Sequence, residues 1–328
     1  MARMIEYSRR AVTALFVLLV IGTVFQSLLP GESLVESSSA SLGDSLGNKP
    51  VPNWSGEGLI TLEAAESDRP LFTVWDARGR AVRTTAFMLP GTSRIVVQSF
   101  AHGTDGVIAF CGSAWDQAGH GAPVVAWVSA DGADPKVIRT EPYYPTKVTI
   151  ASDGTIWSIG YEYVAGEVRR GTPLNPEARI FRRWSPSGNL VASYLPQKEL
   201  GNAISNLSQP GQSFSAGRDR IAWFAPVAGR YFEISLAGGL TDINGVAIPD
   251  KSEVYGFALL DNGMTVLSYE ARDYSGWAVV RLDRVNHQWV EVETGHNPPV
   301  LIFGAHANQI VGRQGGLTGD FKFFDMRP

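Results

Sequence analysis

Beyond residue 55 the chain is a succession of short runs in which apolar and polar residues alternate, each cut off by Asp, Asn or Gly. Period-two alternation is the signature of a strand, and the 3.6-residue period of an amphipathic helix is nearly absent after residue 30. The run ASDGTIWSIG (151–160) shows the unit: an apolar strand ends, Asp153-Gly154 turns the chain, and an alternating strand follows. The same hairpin recurs in SFAHGTDGVIAFC (99–111), FSAGRDRIAWFA (214–225), FALLDNGMTVLSY (257–269) and LIFGAHANQIVGR (301–313). Asp, Asn and Gly suit these turns because they tolerate the positive φ that tight hairpins need. Arg220 and Gln309 replace the turn glycine in two copies.

A second kind of hairpin lies between these. It is found in LFTVWDARGRAVRTTAF (71–87), VVAWVSADGADPKVIRT (124–140), IFRRWSPSGNLVASYL (180–195), RYFEISLAGGLTDI (230–243) and AVVRLDRVNHQWVEVE (278–293). FKFFDM (321–326) begins a sixth and stops. The two kinds alternate strictly, and turns of the first kind recur about 43 to 66 residues apart. A repeat of four antiparallel strands in 40–50 residues predicts a β-propeller blade. One four-stranded sheet has two apolar faces and buries neither alone; radial stacking buries both, and the ring must close. The expected fold is therefore all-β, a propeller of six four-stranded blades with an N-terminal transmembrane helix. The last blade lacks its outermost strand, and GLITLEAA (58–65) is expected to help supply the missing pairing. The two ways of assigning GLITLEAA leave five or seven blades open. The SDGTIWSIG and RRWSPSGNLV patterns resemble six-bladed propellers of the NHL and TolB-like kind over most of residues 55–328. That resemblance implies a fold and no particular activity.

Residues 11–29, AVTALFVLLVIGTVFQSLL, carry no charge over 19 positions. At 1.5 Å per residue that length approaches the ~30 Å hydrocarbon thickness of a bilayer. Arg3, Arg9 and Arg10 precede the run; Glu32, Glu36 and Asp44 follow it. The positive-inside bias places the N-terminus in the cytoplasm and the remainder outside. A single-pass signal anchor is favoured over a cleaved signal peptide, whose best cleavage site would be Ser38-Ser39-Ala40. The expected organisation is a basic cytoplasmic segment (1–10), the anchor (11–29), a Ser/Gly/Pro-rich linker (30–54) and an exported propeller domain (55–328), periplasmic or extracellular. The linker contains Gly43-Asp44-Ser45-Leu46, which spells a lipase signature. It lacks the α/β core and the Asp-x-x-His partner which that serine requires.

Composition narrows the function classes. Hydrophobic residues make up 44% of the chain and charged residues 18%, as in an ordinary packed globule. The 35 glycines and 19 prolines suit many turns, and nine Trp with ten Tyr suit pleated surfaces. A net charge of −4 argues against a nucleic-acid partner. The single cysteine, Cys111, ends the apolar run VIAFC and is expected to pack as a small hydrophobe.

The long connections place candidate chemistry on one face. Each blade joins its strands alternately at its two ends, and the long segments 112–122, 141–145, 162–178, 196–212, 271–276 and 294–299 all fall at the same end. Loops on a rigid scaffold are where recognition concentrates. The expected binding residues there are Trp115, His120, Tyr143, Tyr144, Tyr163, Arg169, Arg170, Arg272, Tyr274 and His296, accompanied by Asp116, Glu162 and Asp273. Aromatic and Arg side chains are the types that dominate binding hot spots. Arg169, Arg170 and Arg179 read as a solvated charge run beside Glu162, Glu167 and Glu177. No GxSxG, P-loop or CxxC motif occurs and no histidine pair has metal spacing, so the sequence identifies no catalytic residue, and no metal or cofactor is expected. The expected activity is recognition of a protein or glycan-type ligand. The alternative is a hydrolase or lactonase-type propeller with a metal held near the axis.

Overall fold

The computed structural model describes residues 34–40, 53–55, 58–63, 65–75, 80–103, 105–133, 135–162, 180–195, 214–225, 230–243, 253–270, 276–295, 300–306, 309–314 and 321–326. These residues contain strands and turns and no helix. In chain order the first strands are β1 (Leu34–Ala40), β2 (Asn53–Ser55), β3 (Gly58–Glu63), β4 (Glu66–Ser67), β5 (Leu71–Trp75) and β6 (Ala81–Ala86). Four regular groups follow: β7 (Arg94–His102) to β10 (Lys136–Arg139) through β8 (Ile108–Trp115) and β9 (Gly121–Val128); β11 (Tyr143–Ile150), β12 (Ile156–Glu162), β13 (Ile180–Trp184) and β14 (Leu190–Tyr194); β15 (Phe214–Ala216), β16 (Arg220–Ala225), β17 (Arg230–Ser235) and β18 (Leu240–Ile243); and β19 (Glu253–Leu259), β20 (Thr265–Glu270), β21 (Trp277–Asp283) and β22 (Gln288–Gly295). The chain ends with β23 (Val300–His306), β24 (Gln309–Gln314) and β25 (Phe321–Met326).

The strands form five sheets in a propeller arrangement. Each of the four regular groups is one sheet, and β4 adds to the inner edge of β7. The fifth sheet has eight strands in the order β1-β25-β24-β23-β2-β3-β5-β6. The expected count of six is thus corrected to five. The physical reason is β2, which pairs parallel with β23 through Trp54 and Gly304 and joins the two terminal runs into one sheet. Closure does bring the two ends of the chain together, through a different strand. GLITLEAA supplies β3, which pairs with β2 and β5, and the last strand β25 is completed by β1. Two pieces of the segment 30–54, β1 and β2, are therefore strands. The innermost strands touch in succession, β7 to β11, β15, β19 and β23, and β2 touches both β23 and β7, so the ring is closed. The apolar segment 11–29 lies outside the described residues; among those described, no helix is long and apolar enough to cross a membrane.

Every hairpin read from the sequence is present. The inner turns repeat one construction. Asp105, Asp153 and Asn262 each accept the backbone N–H two residues on, and Gly106, Gly154 and Gly263 follow with φ of 79°, 76° and 83°. The positive φ is what glycine provides at no steric cost.

Among the described residues, buried clusters seal the sheets together. β8 shows the logic: Ile108 and Phe110 pack toward Ile60, Phe72 and Phe87 of the eight-stranded sheet, while Ala109 and Cys111 pack toward Val148, Ile156 and Trp184 of the next. Both faces of one strand are buried, which is why its sequence reads as a nearly continuous apolar run. Further round, Trp223 lies edge-on to Phe181 at 5.1 Å and stacks on Phe232 at 5.0 Å.

Candidate functional site

The two ends of the ring are built differently. At one end lie the short turns, both the inner ones and the outer ones between third and fourth strands. At the other lie the long connections. We call these the turn face and the loop face.

The turn face is tied across sheets by arginines. Arg83 donates to Gly106 O at 3.0 Å and lies 2.8 Å from Nε2 of buried His102. Arg183 donates to Asp153 of its own sheet at 2.5 Å and to Leu236 O of the next at 2.8 Å. Glu233, 7% exposed, accepts from Arg220 at 3.0 Å, from Arg284 at 2.8 and 2.5 Å, and from the Tyr231 hydroxyl at 2.5 Å. Burial pushes the Glu233 carboxyl up, but the hydrogen bonds from Arg284 and Tyr231 and the two arginine charges outweigh it, and the net shift is downward. A buried carboxylate with this many donors holds its charge.

The loop face begins with the inner strands. β7, β11, β19 and β23 each carry a one-residue bulge, at Gln98, Thr146, Tyr255 and Phe303. A bulge re-aims the strand at that point. Opposite two of these bulges the second strand has a glycine that nothing else can replace. A Cβ on Gly112 would lie 1.9 Å from Val96 O, and one on Gly160 would lie 2.1 Å from Tyr144 O. Both carbonyls stand two residues before the bulge, so the same close approach is built twice.

Four side chains meet beside the first two bulges. Tyr144 stacks on Tyr161 with ring centroids 5.6 Å apart and planes at 22°. Its hydroxyl oxygen accepts from Gln98 Nε2 at 2.8 Å and lies 3.3 Å from Ser113 Oγ. Gln98 is exposed, and both tyrosines are half-buried. The charged neighbours are paired: Arg94 with Glu66, and Arg182 with Glu162 at 3.3 Å. What faces outward is an aromatic, amide and hydroxyl surface, suited to stacking and neutral hydrogen bonding.

Four expected site residues are described. Trp115 ends β8, half-buried, with the Arg94 guanidinium 5.8 Å from its ring centroid. Its buried indole N–H has no partner among the described residues. His120 closes the loop after β8; its side chain is 83% exposed and its Nδ1 lies 3.3 Å from Asp116. The His120 backbone N–H, more than its ring, draws the Asp116 carboxyl below its usual value. Tyr144 belongs to the cluster above. Tyr143 does not reach the surface: it is wholly buried, its hydroxyl donates to Ser158 Oγ at 3.1 Å, and Arg182 covers its ring at 4.2 Å. Adjacent strand residues point to opposite faces, so of this pair only Tyr144 reaches the site. Tyr163, Arg169, Arg170, Arg272, Tyr274 and His296 lie outside the described residues. The segment 112–122 is mostly strand, and its loop is residues 116–120.

Gln98, Ser113 and Tyr161 escape sequence reading. Tyr161 alone leaves a signal, as the aromatic that breaks out of the apolar run IWSIG. Cys111 is fully buried, and burial pushes its thiol up to about 12, which suits a packing role. Lys147, next to the second bulge, is held below its usual value by burial, with Cys111 acting in the opposite sense. No cluster of three His, Cys, Asp or Glu that could hold a metal occurs among the described residues.

The chain matches no family model and no curated protein. It is similar in fold to solved structures. One is titled "Putative exported protein" from Bacteroides fragilis: 12% identity, TM-score 0.55, covering 90% of this chain and 95% of that one. Another is titled "putative gluconolactonase": 14% identity, TM-score 0.50, covering 90% and 94%. A streptogramin B lyase aligns at 12% identity and TM-score 0.46, covering 90% and 98%. Such neighbours are propeller-type proteins, and at these identities the likeness is one of fold alone.

Proposed function

We propose that this chain is an exported propeller, held to a membrane by residues 11–29, that recognises a protein or glycan-type ligand through its loop face. The observation that carries the reading is the cluster of Tyr144, Tyr161, Gln98 and Ser113. A stacked aromatic pair lies beside an exposed amide, with Tyr144 and Gln98 on bulged inner strands and Tyr161 on the adjoining β12, and Arg94 and Arg182 are already paired with carboxylates. Such a surface gains from stacking and from hydrogen bonds to neutral groups. The long connections, including residues 163–179, would complete the contact.

The test is crosslinking capture from native membranes with the intact protein, the double variant Tyr144→Ala/Gln98→Ala, and a third form in which residues 163–179 become a short Gly/Ser loop. A partner held by the intact protein and lost from the double variant supports the reading. Equal capture by all three forms moves recognition elsewhere. No capture, together with turnover of a lactone substrate, would favour an enzyme in place of a binding module.

A further inference from the structure

The direction of one strand fixes which face the chain enters. β24 starts at the inner turn after His306, on the turn face, and ends on the loop face. β25 therefore runs back from the loop face to the turn face. β1 is antiparallel to it, with Leu34 opposite Met326 and Ala40 opposite Phe321. Leu34 thus lies at the turn face and Ala40 at the loop face. Only residues 30–33 separate Leu34 from the end of the apolar run 11–29. Five Cα steps span at most about 18 Å.

That distance favours one of the two faces. A seven-residue strand is about 20 Å long, so the loop face lies about 20 Å beyond Leu34. If the loop face lay against a bilayer, the tether would have to run fully extended along the whole height of the sheet. With the turn face toward the bilayer the tether has length to spare.

A second, independent feature marks the same end. Among the described residues the exposed large aliphatics are Val82, Met88, Val137, Leu190, Val191 and Val285. All but Met88 lie in an outer turn or just after one, at the turn-face rim of four different sheets. Val285 is 89% exposed at the tip of its turn. Asp131 and Asp283, in two of the outer turns, are held below the usual carboxylate range by hydrogen bonds from Ser129 and Asn286 of their own turns, so these turns keep their negative charge and the aliphatics would meet lipid headgroups, with the hydrocarbon beyond them. Isolated exposed valines are ordinary, but a rim of them on the side where the chain enters fits contact with a lipid interface.

We infer that the propeller stands on the bilayer on its turn face, with the aliphatic rim at the lipid interface and the loop face directed away from the membrane. This rests on the anchoring role of residues 11–29 and adds an orientation to it. It also leaves the loop-face cluster open to soluble or cell-surface partners.

The test uses the full chain reconstituted in phosphatidylcholine vesicles containing lipid with a headgroup nitroxide. Three single variants, Val285→Cys, Leu190→Cys and His120→Cys, are labelled with a small fluorophore; native Cys111 is fully buried and stays unlabelled in the folded protein. All three positions are exposed, so the fold is kept. The expected result is quenching at 285 and 190 at least twofold stronger than at 120. Equal or stronger quenching at 120 overturns the orientation. Quenching at only one of positions 285 and 190 also overturns it, because the ring then lies on its side. No quenching on chains that float with the vesicles overturns the close approach. Chains that fail to float sink the anchoring reading and this inference with it. Flotation and quenching thus separate the two failures.

Discussion

The turn face and the loop face are made from the same strands, yet they distribute their polar groups in opposite ways. On the turn face, Arg83, Arg183 and Arg284 reach from sheet to sheet, Arg220 meets Arg284 at Glu233 from within its own sheet, and their partners are buried or folded into turns. The charged and polar groups there either hold neighbouring sheets together or brace their own turns. On the loop face, Gln98, Tyr144 and His120 stay exposed or half-exposed, and the bonds from Gln98 and Ser113 to the Tyr144 hydroxyl join two sheets through neutral groups alone. One end is built to be rigid. The other keeps polar and aromatic atoms available at a position that the rigid end determines.

That contrast can be broken most severely at Glu233. Glu233→Ala should cost about 3 kcal/mol, because it leaves Arg220 and Arg284 without the carboxylate they share; urea unfolding would read it, and a loss below 1 kcal/mol would show that the arginines are held by solvent. The pH dependence carries the same information. The folded Glu233 carboxyl lies below its usual value of 4.5, so its contribution is present above that value and is lost as pH falls through the lower, folded value. Stability should fall on acidification below about pH 4.5, and Glu233→Gln should flatten that limb.

Gly160→Ala comes next, at about 2–3 kcal/mol, since the new methyl group must displace the Tyr144 carbonyl. It should weaken ligand capture as well as stability, because the bulge that presents Tyr144 moves with it. Wild-type thermal stability in this variant would mean that the inner strand yields more readily than its contacts imply. Arg183→Ala should cost about 1.5 kcal/mol through loss of the bonds to Asp153 and Leu236, with capture unchanged. At the small end, Tyr144→Ala should abolish capture while costing under about 1 kcal/mol, the range for a partly exposed side chain. A large stability loss with unaltered capture would reverse the contrast between the faces. His120→Ala should leave the urea midpoint unmoved.

Much of this fold can be read from the sequence because its turns are chemically explicit. Asp or Asn followed by Gly, set between alternating runs, locates the inner hairpins at 105–106, 153–154 and 262–263 without any tertiary information. The bulges were hidden. A bulge alters register by one residue and leaves its mark as a glycine on the neighbouring strand, and Gly112 and Gly160 look like any strand-end glycine until the carbonyls of Val96 and Tyr144 are seen against them. The stretch EPYYP reads as a loop because of its prolines, yet Pro145 is tolerated in β11, an innermost strand with one unpaired edge. That misreading put Tyr143 on the surface beside Tyr144. β1 was hidden for another reason. LVESSSA is polar enough to pass for linker, and an outermost strand needs backbone pairing more than a buried side-chain face.

The pairing of β1 with β25 separates two jobs that a ring of sheets has to do. The ring itself is shut by β2, which touches both β23 and β7. β1 lies at the outer margin of the eight-stranded sheet, some 280 positions away in the chain from the strand it covers. A chain clipped after Ala40 keeps the shut ring and loses only that outer cover, which leaves the backbone of β25 as a bare edge. The cut is thus recorded as a sticky margin on an otherwise intact disc, and clipped copies would meet one another edge to edge.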